Sequence, residues 1–205
     1  MRKAPTQERS RQMVQRLLEA TSACVADMGL DNTTTNHIAE RAGVSVGSLY
    51  QYFPNKESLL EALLEKMGTE VSQTFRQRAV KLQVNQLPLR DVAFNAIRFG
   101  IMQIKRDPLM EEIISNWSRL PVHKLLDPME NLFLVMAQPY FLKNYRDYPI
   151  ENLESKLYVL INSTLFTAIR YLNQQDSVIS EEEIVHTLTD MIVGLLEPGV
   201  SEAVE

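Results

Sequence analysis

Apolar residues recur along this chain at helical spacing and almost nowhere at the alternating spacing of a strand. Val14, Leu17, Leu18, Thr21, Cys24, Val25 and Met28 follow i, i+3, i+4, i+7, which predicts a first helix that Gly29 stops. Leu59, Leu60, Leu63, Leu64, Met67, Val71 and Phe75 mark a long helix from Lys56 to about Val84. Prolines punctuate the chain beyond Val84. Asp107-Pro108 and Asp127-Pro128 read as an N-cap followed by the first helical residue, whereas Pro139 either kinks or ends a helix. Two further amphipathic helices close the chain. One runs from about Pro149 to Gln174, and the other begins at Ser180, where Ser180 and Glu183 form a capping box. The pattern predicts an all-α protein.

The segment TTTNHIAERAGVSVGSLYQYFPNK, residues 33–56, departs from long helices. Thr34 stands where an N-cap belongs, Ile38, Ala39 and Ala42 form a short inner edge, and Gly43 supplies a left-handed exit. Ser45 caps a second short helix with Leu49 and Phe53 inward. Pro54 ends it, and Asn55 caps the long helix beyond. Neither short helix is stable alone. With the first helix they make a helix-turn-helix, a rigid support for an exposed set of hydroxyls, a glycine, an amide and two tyrosines. Those groups suit phosphates and base edges better than packing. Gly47 in a first helical turn and Lys56 at the positive end of the long helix both break local rules, and an approaching phosphate backbone accounts for both.

Composition and charge refine this reading. At 205 residues, 45% hydrophobic and 23% charged, the chain suits one or two soluble domains with a real core. Its net charge of −5 argues against nucleic acid until it is divided. Residues 1–56 hold seven basic against five acidic residues, a net +2, and residues 57–205 hold 14 against 21, a net −7. The basic head is the part suited to an anionic partner; a solvated basic tail explains the charge equally well. No uncharged run approaches the ~18–20 residues of a membrane span. No signal-peptide pattern accompanies the basic start, and the single cysteine, Cys24, excludes an internal disulfide, so a cytoplasmic protein is expected.

Other chemistry is weak. GVSVG (43–47) matches the nucleophile elbow G-x-S-x-G, but that motif needs a preceding strand, and here NHIAERA reads as helix. His37, His123 and His186 are too far apart to suggest a metal site. Cys24 lies on an apolar face and reads as core. Neither a cofactor nor an enzymatic activity is expected.

The stretch TTTNHIAERAGVSVGSLYQYFPNKESLLEALL closely resembles the DNA-binding segment of tetracycline-repressor-type (TetR family) regulators. The pattern I-A-x-x-A-G-V-S-x-G-x-L-Y-x-Y-F is intact from Ile38 to Phe53, with Lys56 in place. The resemblance is specific over about residues 9–67 and general beyond. It implies an N-terminal three-helix DNA-binding domain, residues 1–55, and a C-terminal helical effector-binding and dimerisation domain, residues 56–205. It implies that Thr34, Thr35, Asn36, Ser45, Val46 and Gly47 approach DNA, that Tyr50, Tyr52 and Lys56 meet phosphates, that Gln51 reaches a base edge, and that Arg9 and Arg11 add backbone contacts. Val46 is an unusual residue at its position, suited to a thymine methyl or to nothing specific.

The expected partners are therefore a pseudo-palindromic double-stranded DNA operator, a second copy docked through the two C-terminal helices, and a small, largely apolar effector; no membrane partner is expected. Mid-chain aromatic and methionine residues are first of all core. As a group, Phe99, Met102, Trp117, Phe133, Met136, Tyr140, Tyr158, Asn162 and Phe166 are candidates to line an effector pocket. The functional expectation is a repressor released from its operator by the effector; the alternative is a regulator controlled by a protein partner.

Overall fold

A computed structural model describes residues 4–144, 150–174 and 178–197, with side chains from residue 8. The described residues form nine α-helices and two 3-10 turns and contain no strand. α1 spans Ala4–Asn32, α2 Thr35–Ala42, α3 Val46–Tyr50, α4 Lys56–Lys81, α5 Leu89–Arg106, α6 Pro108–Ser115, α7 His123–Asn144, α8 Leu153–Leu172 and α9 Glu181–Leu196. The 3-10 turns are Val84–Gln86 and Trp117–Arg119. The all-α expectation is met.

The chain divides into two compact units. The first joins Met1–Gly68 to Asp107–Leu125, and the second joins Thr69–Arg106 to Leu126–Glu205. In the first unit α1 packs on α2 and on α6, and α2 packs on α3. Its fully buried residues include Leu17, Cys24, Val25, Ile38, Leu49, Leu59 and Leu64. These are the inward positions of the sequence periodicity, and Cys24 packs as a small apolar group. α1 is interrupted at Gly29, where φ 79 and ψ 165 leave helical space; only glycine enters that region without strain.

In the second unit three apolar clusters form the core. One joins Leu89, Tyr140, Phe141, Leu157, Leu160 and Leu196. Another joins Ile97, Ile101, Ala168, Val185 and Leu188, and a third Phe75, Phe99 and Met129. α5 lies along α9, which also packs on α8.

The caps follow local chemistry. Asp107 accepts from the Leu109 amide at 3.0 Å, with Pro108 opening α6. Ser180 and Glu183 complete a reciprocal capping box at α9. Hydrogen bonding to Ser180 holds the Glu183 carboxyl below its usual range. The Asp127-Pro128 expectation is corrected: Pro128 lies inside α7, which begins at His123. The Lys124 and Leu125 amides already donate to Pro121 and Val122, so the helix is nucleated before the aspartate is reached. α7 also runs through Pro139, on an exposed side of the helix where water can satisfy the carbonyl that loses its partner. The long helix ends at Lys81, three residues before the expected end. The expected helix start at Pro149 and the tail beyond Glu197 lie outside the described residues.

Candidate nucleic-acid interface

Two caps set the geometry of the short helices. The Thr34 hydroxyl accepts from the His37 amide at 3.3 Å and starts α2. Gly43, at φ 65 and ψ 39, ends it in the left-handed region, and its amide donates to the carbonyls of Ala39 and Glu40. The Arg16 guanidinium of α1 donates to the Ala42 carbonyl and closes the same helix end from outside. The Ser45 hydroxyl then accepts from the Ser48 amide at 3.1 Å and starts α3. Ile38 and Leu49 are fully buried beneath these helices, so the opposite side is presented on a fixed base.

That presented side carries most of the residues the sequence singles out. Thr34, Asn36, Ser45, Gly47, Tyr50 and Gln51 are exposed, and Thr35, Val46 and Tyr52 are partly so. The Thr35 hydroxyl and the Tyr50 phenol lie 3.2 Å apart, a bridge from the start of α2 to the end of α3. A hydroxyl pair tied in this way has its remaining donor and acceptor capacity directed outward. Gly47 meets nothing closer than the Ser45 hydroxyl, 3.9 Å from where a Cβ would stand. Ser45 and Thr34 are committed to capping, and their hydroxyls have the least capacity left for a ligand. Arg9 and Arg11 are exposed on α1.

Lys56 is engaged within the chain. Its ammonium donates to the Leu30 carbonyl at 2.5 Å and is only partly exposed. Two of its three donors remain for another acceptor. Sequence reasoning missed the groups that hold Leu30 and Asp31, at the end of α1, from outside. Glu112 accepts from the Leu30 amide at 2.7 Å, and Arg119 forms a two-pronged pair with Asp31 at 2.5 and 3.2 Å. The Arg119 guanidinium holds the Asp31 carboxyl below its usual range. These partners are 82 and 88 residues apart in sequence, and no local pattern announces them.

Within the second unit, the residues named for an effector fall in more than one cluster. Phe99, Met102 and Phe133 share one cluster with Phe75, whose ring meets Phe99 and Phe133 edge-on at 5.0 and 5.6 Å. The Arg78 guanidinium lies 4.4 Å from the Phe99 ring centre. Tyr140 belongs to another cluster and donates to the Leu87 carbonyl. Met136 is half-buried on α7, and Trp117 lies in the 3-10 turn of the first unit. Tyr158, Asn162 and Phe166 follow one face of α8, where Tyr158 and Phe166 are 58% and 44% exposed.

An exposed polar face on two short helices, braced by a third, defines a helix-turn-helix head of the kind that reads DNA. Residues 17–63 match the family model described as bacterial regulatory proteins, tetR family. The HTH-type transcriptional regulator BetI of Yersinia pestis is 38% identical over 71 residues, 35% of this chain and 36% of that protein. That match covers about a third of the length of the Yersinia BetI, and a match to the BetI of Burkholderia mallei covers about half. The nucleoid occlusion factor SlmA of Haemophilus ducreyi is 25% identical over 146 residues, 67% of this chain and 69% of that protein. Among solved structures, RolR in complex with resorcinol superposes with a TM-score of 0.68 at 17% identity, covering 93% of this chain and 90% of that one. A tetR-family regulator from Streptomyces coelicolor gives 0.65 at 21% identity, covering 89% and 81%. At these identities the structural likeness establishes the fold. The head of this chain is thus similar in sequence to TetR-family transcriptional regulators, and the described fold is theirs over most of its length. No described helix is long and apolar enough to cross a membrane.

Proposed function

We propose that this chain is a homodimeric repressor that leaves a pseudo-palindromic operator when a small, largely apolar effector binds. The observation that carries the DNA part is the Thr35–Tyr50 bridge on the exposed side of α2 and α3, above a fully buried Ile38 and Leu49. In this reading α3 enters the major groove, Tyr50 and Tyr52 meet phosphates, and Gln51 reaches a base edge. Support for the dimer comes from α8 and α9, which carry exposed Tyr158, Val159, Phe166, Met191 and Leu195. Two copies joined there would read half-sites ~34 Å apart or a multiple of it. For the effector, Phe99, Met102 and Phe133, which cluster with Phe75 near Arg78, are the members of the expected set that lie together. The effector acts by binding the released conformation more tightly than the DNA-bound one. The protein would work in the cytoplasm, where its operator is.

The test is selection of genomic fragments by the full chain at ~150 mM salt, where nonspecific binding has faded. The expected result is an enriched palindrome, with Tyr50→Ala binding it roughly tenfold or more weakly at unchanged folding, the cost of one lost charge-assisted contact. Equal affinity of Tyr50→Ala and wild type would remove Tyr50 from the interface. Operator binding that no metabolite weakens would favour control by a protein partner.

A further inference from the structure

The connector, meaning the end of α1 past its break at Gly29 and the residues leading into α2 (30–34), is held from outside the helix-turn-helix. Gly29 breaks α1, so the Leu30 amide loses its helical acceptor, and a carboxylate oxygen of Glu112 replaces it at 2.7 Å. Asn116 donates to that same oxygen at 3.0 Å and accepts from Arg119 at 3.0 Å. Arg119 grips Asp31 with both terminal nitrogens. The bonds close a ring: Leu30, Glu112, Asn116, Arg119, Asp31 and back through one peptide unit. A side chain at position 29 would stand 3.3 Å from the Glu112 oxygen, so glycine serves both the break and this approach.

We propose that Glu112, Asn116 and Arg119 are positioning residues for DNA reading: they fix the connector, and through it the stance of the α2 N-terminus where Thr34 and Thr35 stand. The proposal rests on the DNA-reading function of the α2–α3 head. Its physical basis is a contrast of magnitudes. The Arg119 and Asp31 side chains are 56% and 71% exposed, and a pair so exposed contributes little to stability. A two-pronged guanidinium–carboxylate pair nevertheless fixes direction, because both nitrogens must meet both oxygens. The ring therefore orients more than it stabilises. Small displacements of the connector tilt α2, and recognition of a major groove depends on that tilt.

The experiment uses the full chain, with the palindrome enriched from genomic fragments as the probe. Arg119→Ala is expected to lower affinity for it about tenfold, within the usual range of coupling, while the slope of log affinity against log salt stays that of wild type. A slope shallower by about 0.9 for each lost contact would make Arg119 a phosphate ligand and overturn the proposal. Unchanged affinity would overturn it as well. Hydrogen exchange supplies a readout that needs no DNA. Glu112→Ala should speed exchange at Leu30 and along α2 while leaving Leu17 and Leu59 protected, and Glu112→Gln, which keeps an acceptor oxygen, should restore most of that protection. Uniform acceleration would mean a merely structural role. If wild type enriches no palindrome, the DNA-reading function fails, and the exchange experiment still decides whether the ring positions α2.

Discussion

Gly47 and Thr164 each leave something undone in the folded chain, for opposite reasons. At Gly47 the fold has room for a methyl group, since the nearest atom to a Cβ is 3.9 Å away. Alanine there should raise stability by roughly 0.5–1 kcal/mol through helix propensity. The same methyl should intrude on an approaching DNA backbone. Gly47→Ala is thus expected to melt higher and bind operator more weakly, which thermal unfolding and a binding titration measure on one sample. A variant that gains stability and keeps its affinity would show that no backbone comes close at position 47. Thr164 is the reverse case, a buried hydroxyl with no hydrogen-bond partner among the described residues. Such a group costs about 1–3 kcal/mol relative to a satisfied one. Thr164→Val, similar in shape and lacking the hydroxyl, should shift the urea midpoint upward without changing the slope; a downward shift would mean that the hydroxyl is bonded in solution.

At the scale of elements, the helices whose ends are set by neighbouring residues were legible in the sequence. Ser180 with Glu183, Asp107 with Leu109, Thr34 with His37, and Gly43 with Ala39 and Glu40 each act within a few residues, and each does what its spacing implies. Asp127-Pro128 carries the same local signal as Asp107-Pro108 and fails, because α7 has already begun upstream. The hydroxyl and tyrosine face of α2 and α3 was legible for the same local reason. The Glu112 and Arg119 contacts were not, since they depend on where α6 packs. Gly68 was equally silent. In α4 it reads as a mild defect, yet a Cβ there would stand 2.5 Å from the Leu125 carbonyl oxygen and 3.0 Å from its carbon. Helix propensity favours alanine at this position by about 1 kcal/mol. Overpacking against backbone costs typically about 1–3 kcal/mol, and a main-chain carbonyl cannot rotate away as a side chain can. The clash should win: Gly68→Ala is expected to lose up to about 2 kcal/mol net in denaturant titration, and a stabilised variant would show that α4 and the start of α7 do not approach so closely.

For the whole molecule, the division of charge and the exposed apolar face of α8 and α9 bear on one question, whether two heads act together. A head of net +2 on a body of net −7 gains little from nonspecific attraction to DNA. In the proposed dimer, tight reading comes from two half-sites held at once, where the second contact is made at high effective concentration. Phe166 tests this most directly, since it is 44% exposed on α8 and the sequence marks it for an effector. A stable interface buries roughly 1,600 Å² in total, and a two-fold axis places each substitution in it twice. Phe166→Glu would therefore take two unpaired carboxylates out of water, at several kcal/mol each. The expected outcome is a halved mass by light scattering at micromolar concentration, an unchanged helical circular dichroism spectrum, and loss of palindrome binding while weak half-site binding persists. A variant that remains a dimer, binds the palindrome and no longer responds to the effector would return Phe166 to the effector site. A variant unchanged in mass, DNA binding and effector response would leave the exposed face of α8 without either role.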